Sequence, residues 1–132
     1  MQFDMNCLNA GSWFELEGGG QVCLRVCDGD ALRDIRKRTV KKKVEYNKVL
    51  MQRLVVEDTN TELQEELIWD YCIVDWKDFF DQDNQPISCT YENKQTLMGK
   101  SITFAKFVGD CLGKIRDDIE KDTVGEEAEK NF

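Results

Sequence analysis

Phe104, Phe107, Val108, Cys111, Leu112, Ile115 and Ile119 recur at i, i+3 and i+4 spacing, and a helical period of 3.6 puts all seven on one face. The spacing predicts a helix from about Ile102 to Asp122 whose apolar stripe must be closed over another layer of structure. The N-terminal third offers that layer. In "SWFELEGGGQVCLRVCDG" two short runs, Trp13 to Glu17 and Gln21 to Cys27, flank three glycines that permit the positive φ angles of a tight reversal. Val22, Leu24 and Val26 alternate with Cys23, Arg25 and Cys27, so one face of the second run is aliphatic.

Between these ends the signals alternate. Asp28 or Asp30 caps a short helix whose last turn holds Arg36, Lys37 and Arg38, matching the helix dipole. From Val40 to Glu57 the apolar residues Val40, Val44, Tyr46, Leu50, Leu54 and Val56 fall on even positions, which predicts a second hairpin. Thr59 and Glu62 have capping-box spacing ahead of a stripe of Leu63, Leu67, Tyr71 and Val74, with Ile68 and Cys72 alongside. Thr90 then caps a helix through about Met98. The expected fold is α+β: an N-terminal hairpin, a short helix, a second hairpin, and two or three C-terminal helices packed on the sheet. Residues 1–122 are read as one domain and 123–132 as an acidic, disordered tail.

Composition narrows the chemistry. The 132 residues suit one domain, and no run of about 20 apolar residues that would span a membrane is present. The opening "MQFDMNCLNA" lacks the basic start and apolar core of a signal peptide, so the expectation is a soluble protein of the cytoplasm. The six cysteines, Cys7, Cys23, Cys27, Cys72, Cys89 and Cys111, are then expected as reduced thiols. With no histidine, Ser-His and Cys-His catalysis are excluded within the chain, and neither a C-x-x-C motif nor a mixed Cys/His zinc site is available. The chain is therefore read as non-enzymatic and without cofactor or metal.

One stretch tests that reading. In "DQDNQPISCTYE", Asp81, Asp83, Gln85 and Glu92 occupy positions 1, 3, 5 and 12 of an EF-hand loop. Position 6, where the chain must turn on glycine, is Pro86, the apolar position 8 is Ser88, and no second hand follows. A turn at Asp83 and Asn84, an extended exit at Pro86 and a helix capped by Thr90 account for the same residues.

Three surfaces are candidates for binding. The net charge of -8 divides into -2 over residues 1–27, +5 over 28–56 and -11 over 57–132. Arg33, Arg36, Lys37, Arg38, Lys41, Lys42 and Lys43 are thus the candidate nucleic-acid contacts, though only Tyr46 is near enough to stack on a base and the chain as a whole is acidic. Ala105, Gly109 and Gly113 form a small-residue stripe on the last helix, which serves either an internal helix contact or a docking helix. Among Trp69, Tyr71, Trp76, Phe79 and Phe80, the last three lie past the helix and are expected in a groove used by a partner.

The order of features in "WDYCIVDWKDFFDQDNQPISCTYENKQTLM", followed by an amphipathic helix from "SITFAKFVGDCL", resembles the tail assembly chaperones of bacteriophages with long non-contractile tails. The resemblance covers Trp13 to Ile119 in element order and is specific between Asp70 and Leu97. Carried over by position, Trp76, Asp81, Pro86, Glu92 and Asn93 are its motif residues, and the resemblance implies that they are structural. It departs at Asn84, where that family commonly has glycine, a change softened by asparagine's own tolerance of positive φ. It implies no active site and one main partner, the phage tape measure protein, whose apolar helices are shielded until the tail tube polymerises. The tail tube protein is a second candidate partner, and self-association is a third possibility.

Overall fold

The computed structural model describes residues 1–6 and 8–130, with side chains described through Ile119. Cys7, Asn131 and Phe132 lie outside the described residues, and with them the expectations for the Cys7 thiol and the end of the tail. Among the described residues five strands and four helices follow in the order β1 (Ser12–Leu16), β2 (Gly20–Leu24), α1 (Gly29–Thr39), β3 (Val40–Asn47), β4 (Gln52–Thr59), α2 (Thr61–Cys72), β5 (Ile73–Lys77), α3 (Tyr91–Lys100) and α4 (Ile102–Lys130). The fold is α+β, as the sequence implies. The chain divides into two compact units, one of residues 1–26 and 69–132 and the other of residues 27–68.

The first unit is built on an antiparallel sheet of order β1-β2-β5. Gly18 and Gly19, at φ 97° and 101°, make the β1–β2 reversal, with Gly19 N–H donating to the Leu16 carbonyl at 3.2 Å. Val22 and Leu24 are fully buried and meet Ile73 and Trp76 of β5 together with Phe104, Val108 and Cys111 of α4. The expected stripe of α4 is thus the cover of this sheet, with Phe107, Leu112 and Ile115 at its margin and Ile119 exposed. Burying each such aliphatic or aromatic side chain is worth about 1.5–3 kcal/mol, which makes this cluster the main source of the unit's stability.

Three expectations are corrected here. The helix expected to run through Val74 ends at Cys72, and Ile73–Lys77 is a strand on the open edge of β2. Arg25 N–H donates to the Cys72 carbonyl at 2.9 Å, while the Arg25 guanidinium lies 3.8 Å from the Tyr71 ring centroid and donates to the Tyr71 carbonyl at 2.9 Å. These bonds pull the chain out of the helix just where the sheet needs a third strand. The cap of α2 is Asn60 rather than Thr59, with its Oδ1 accepting from Leu63 N–H at 3.2 Å while Thr59 closes β4. The helix α4 also continues past Asp122 to Lys130, carrying the backbone of most of the segment read as a tail.

In the second unit Asp28 caps α1 through a 2.9 Å bond from Ala31 N–H, and β3 and β4 form the expected second hairpin. Asn47 Oδ1 accepts from Val49 and Leu50 N–H in its turn, and Met51 takes φ 51°. Ile35, Thr39 and Leu67 are buried, whereas Val44, Tyr46, Val49, Leu50, Met51 and Val55 are exposed. Among the described residues no helix is long and apolar enough to cross a membrane.

Candidate functional site

The chain leaving β5 folds back on itself over residues 78–87. Asp78 takes φ 59°, Ile87 N–H donates to the Phe79 carbonyl at 2.8 Å, and Phe80 bridges Pro86. The Asp81 carboxylate closes the loop from inside, accepting from Asp83 N–H at 2.9 Å and Gln85 N–H at 3.0 Å, and Asn84 supplies φ 57°. The EF-hand-like residues therefore build a turn, with the first acidic position engaged by backbone amides. Among the described residues no group of three or more cysteine and carboxylate side chains is placed to hold a metal.

This loop sorts the aromatic cluster. The Trp76 indole N–H donates to the Ile87 carbonyl at 2.6 Å, its ring stacks on Phe79 at 5.0 Å, and both meet Phe104 edge-on. Trp76 is 6% exposed, so the expectation that it faces a partner is corrected: it is the pillar under the site. Phe79 is half-buried and Phe80 is 55% exposed, because adjacent residues of an extended chain point to opposite sides. Together with Leu16, Gly20, Ile87, Leu97 and Phe104 they line an open groove of about 350 Å³, with Glu17 and Asp78 also in its lining.

Gly20 has its own role in this groove. A Cβ there would stand 2.8 and 2.9 Å from two carbons of the Phe79 ring, so the third glycine of "GGG" lets that ring lie against the strand. Sequence reasoning took the three glycines only as a turn. Leu16, Ile87 and Leu97 were missed as well, since nothing local distinguishes a groove-lining aliphatic residue from a core one.

The motif residues hold the frame. Thr90 Oγ1 accepts from Asn93 N–H at 3.2 Å, Asn93 Nδ2 donates to the Ser88 carbonyl at 2.8 Å, and Glu92 sits in the first turn of α3. Pro86 forms the isolated antiparallel bridge with Phe80 across the loop. Lys94, 8% exposed, donates from its ammonium to the Asp70 carbonyl and carboxylate, both at 3.1 Å, tying α3 to the end of α2. A nearly buried cation is tolerated because both acceptors meet it.

The other candidates lie apart from the groove. Ala105 and Gly113 are half-buried and Gly109 is exposed, and a Cβ on either glycine would meet nothing within 4 Å among the described residues. An internal helix contact is therefore not what these glycines serve there, and the stripe does not join the groove, whose residue from α4 is Phe104. Arg33, Arg36, Lys37, Arg38, Lys41, Lys42 and Lys43 are all exposed. They do not form one face, because β3 sends Lys42 to one side and Lys41 and Lys43 to the other. Acids stand against them: Lys41 is opposite Asp58, Lys42 opposite Glu57, and Lys43 pairs with Asp58 at 3.0 Å, which raises the Lys43 pKa. The hollow of about 420 Å³ beside Arg38 and Lys41 includes Asp58 in its wall.

Comparison with known proteins adds no identification: no family model, no curated protein and no solved structure matches the chain.

Proposed function

We propose that this protein is a non-enzymatic assembly chaperone of the phage tail type, working in the bacterial cytoplasm, which holds an apolar helical segment of the tape measure protein before the tail tube forms. The observation that carries the reading is the exposed Phe80 beside half-buried Phe79 in an open apolar groove with two carboxylates, Glu17 and Asp78, in its lining. A large exposed aromatic ring next to a preformed apolar wall is costly in water and favourable once a helix covers it. Such a helix would present apolar residues at i, i+3 and i+4 to the groove and basic residues to the two carboxylates. Under the groove Trp76, Phe79 and Phe104 pack on one another, a preformed frame of the kind that lowers the ordering cost of docking.

Co-expression with the tape measure protein and pull-down at low and moderate salt tests the reading. A soluble complex that persists at moderate salt, and is lost in Phe80→Ser while the far-UV circular dichroism is unchanged, is the expected result. Retention of nucleic acid that salt removes, with the large protein left insoluble, would transfer the function to the 33–43 segment.

A further inference from the structure

The β3–β4 hairpin is a sheet of only two strands, so among the described residues the outer edge of β4 has no strand neighbour. A two-stranded ribbon is marginal in water, and an unpaired edge is a template for another strand. The sequence of that edge, Gln52-Arg53-Leu54-Val55-Val56-Glu57-Asp58, is complementary to itself when reversed about Val55. We infer that β4 pairs antiparallel with β4 of a second copy across a two-fold axis at Val55, joining two hairpins into one four-stranded sheet.

The register follows from the side chains. A two-fold axis perpendicular to the sheet keeps each residue on its own face, so it must centre on one residue and pair positions equally distant from it. Centred on Val55, it sets Val55 against Val55, Leu54 against Val56 and Arg53 against Glu57, twice over. Centred on Leu54 it sets Arg53 against Val55, and centred on Val56 it sets Val55 against Glu57, each an unmatched charge beside an apolar residue. The alternative edge, β3, would bring Lys41, Lys42 and Lys43 of both copies onto one seam, and lysine rows of this kind keep edges apart.

The pairing extends rows the hairpin already contains. Within one chain Val44 faces Val55, and both are 66% exposed, so the joined sheet carries an unbroken row of four valines. Lys42 faces Glu57 and Tyr46 faces Arg53, so the next row reads Lys42, Glu57, then Arg53 and Tyr46 of the second copy, with charges alternating in sign. Such cross-strand pairs are the unit from which sheet stability is assembled. A closed two-fold pairing also uses up both β4 edges, which an open head-to-tail pairing of β3 with β4 would not.

Sedimentation velocity over a concentration series tests this with two charge variants. Arg53→Glu alone sets carboxylate against carboxylate at both pairs, and Glu57→Arg alone sets guanidinium against guanidinium, so each is expected to self-associate at least about tenfold more weakly than the wild type. Mixed one to one they restore both pairs, and the mixture is expected to dimerise as the wild type does, which also shows that both variants are folded. Independently, Val55→Cys under mild oxidation should give a 55–55 cross-link identified by mass spectrometry, whereas Val56→Cys, which the register sets against Leu54, should not. A wild type that stays monomeric throughout the series would overturn the proposal. So would a dimer indifferent to both charge variants, or one that cross-links at Val56 as well as at Val55.

Discussion

The two sheets of this molecule are written in similar residues and end in opposite states. In β2 and β5, Val22, Leu24, Ile73 and Trp76 are 0–6% exposed, while in β3 and β4 the paired Val44 and Val55 are each 66% exposed. Alternation makes both of them strands, but alternation does not bury them. The first sheet has Phe104, Val108 and Cys111 of α4 against it, whereas the exposed face of the hairpin has no such stripe among the described residues. The asymmetry locates stability in the first sheet and leaves Val44 and Val55 on an uncovered face, next to the edge at which the inferred pairing of two copies would take place.

The sharpest way to break the comparison is to remove a pillar from each side. Trp76→Ala deletes the ring between Phe79 and Phe104 and leaves the Ile87 carbonyl without its indole partner, so a loss of about 3–5 kcal/mol is expected in urea unfolding. Val44→Thr, at concentrations where the chain is monomeric, should stay within about 0.5 kcal/mol of the wild type. Equal losses at the two positions would show that the hairpin is covered after all.

Glycines sharpen the contrast inside the first unit. Gly20→Ala forces the Phe79 ring to move, and a loss of about 1–3 kcal/mol is expected, together with weaker partner binding because the groove wall shifts. Gly109→Ala meets nothing among the described residues and should stabilise α4 by up to about 1 kcal/mol. Thermal unfolding of the pair reads both signs in one experiment. If Gly109→Ala preserved stability but abolished the co-expressed complex, the small-residue stripe would replace the groove as the docking face.

What the sequence made legible follows the same division between local and tertiary causes. The glycine reversal, the caps at Asp28 and Thr90 and the stripe from Phe104 to Ile115 are local signals, and each sits where it was expected. The strand β5 was hidden because Val74 continues the helical phase of Leu63, Leu67 and Tyr71, and no glycine or proline stops it. What stops it is the open edge of β2 and the bonds from Arg25, partners 46 or more residues away. The aromatic cluster was visible, but its sorting into a buried Trp76 and an exposed Phe80 depends on the loop that returns Ile87 to the indole. Of the groove's lining, Phe79 and Phe80 carried a sequence signal, and Gly20, Ile87 and Leu97 acquire their roles only through that closure.

The smallest effect concerns the thiols of the first unit. Burial raises the pKa of Cys23, Cys89 and Cys111, and a nearby carboxylate pushes each the same way: Asp75 for Cys23 and Cys89, Asp110 for Cys111. A folded-state pKa above the unfolded one means that the native state holds its protons longer, so the associated stability is complete below the ordinary thiol value of about 8.5 and declines as pH rises toward the folded values. The urea midpoint followed by tryptophan fluorescence should therefore fall between pH 7 and pH 9.5, and the fall should shrink in Cys23→Ala/Cys111→Ala. Hydrogen exchange corrected for its intrinsic pH dependence should assign the loss to β2 and β5 and leave β3 and β4 unchanged. A pH effect of the same size in the double variant would mean that other groups cause it, and the buried thiols would then contribute packing alone.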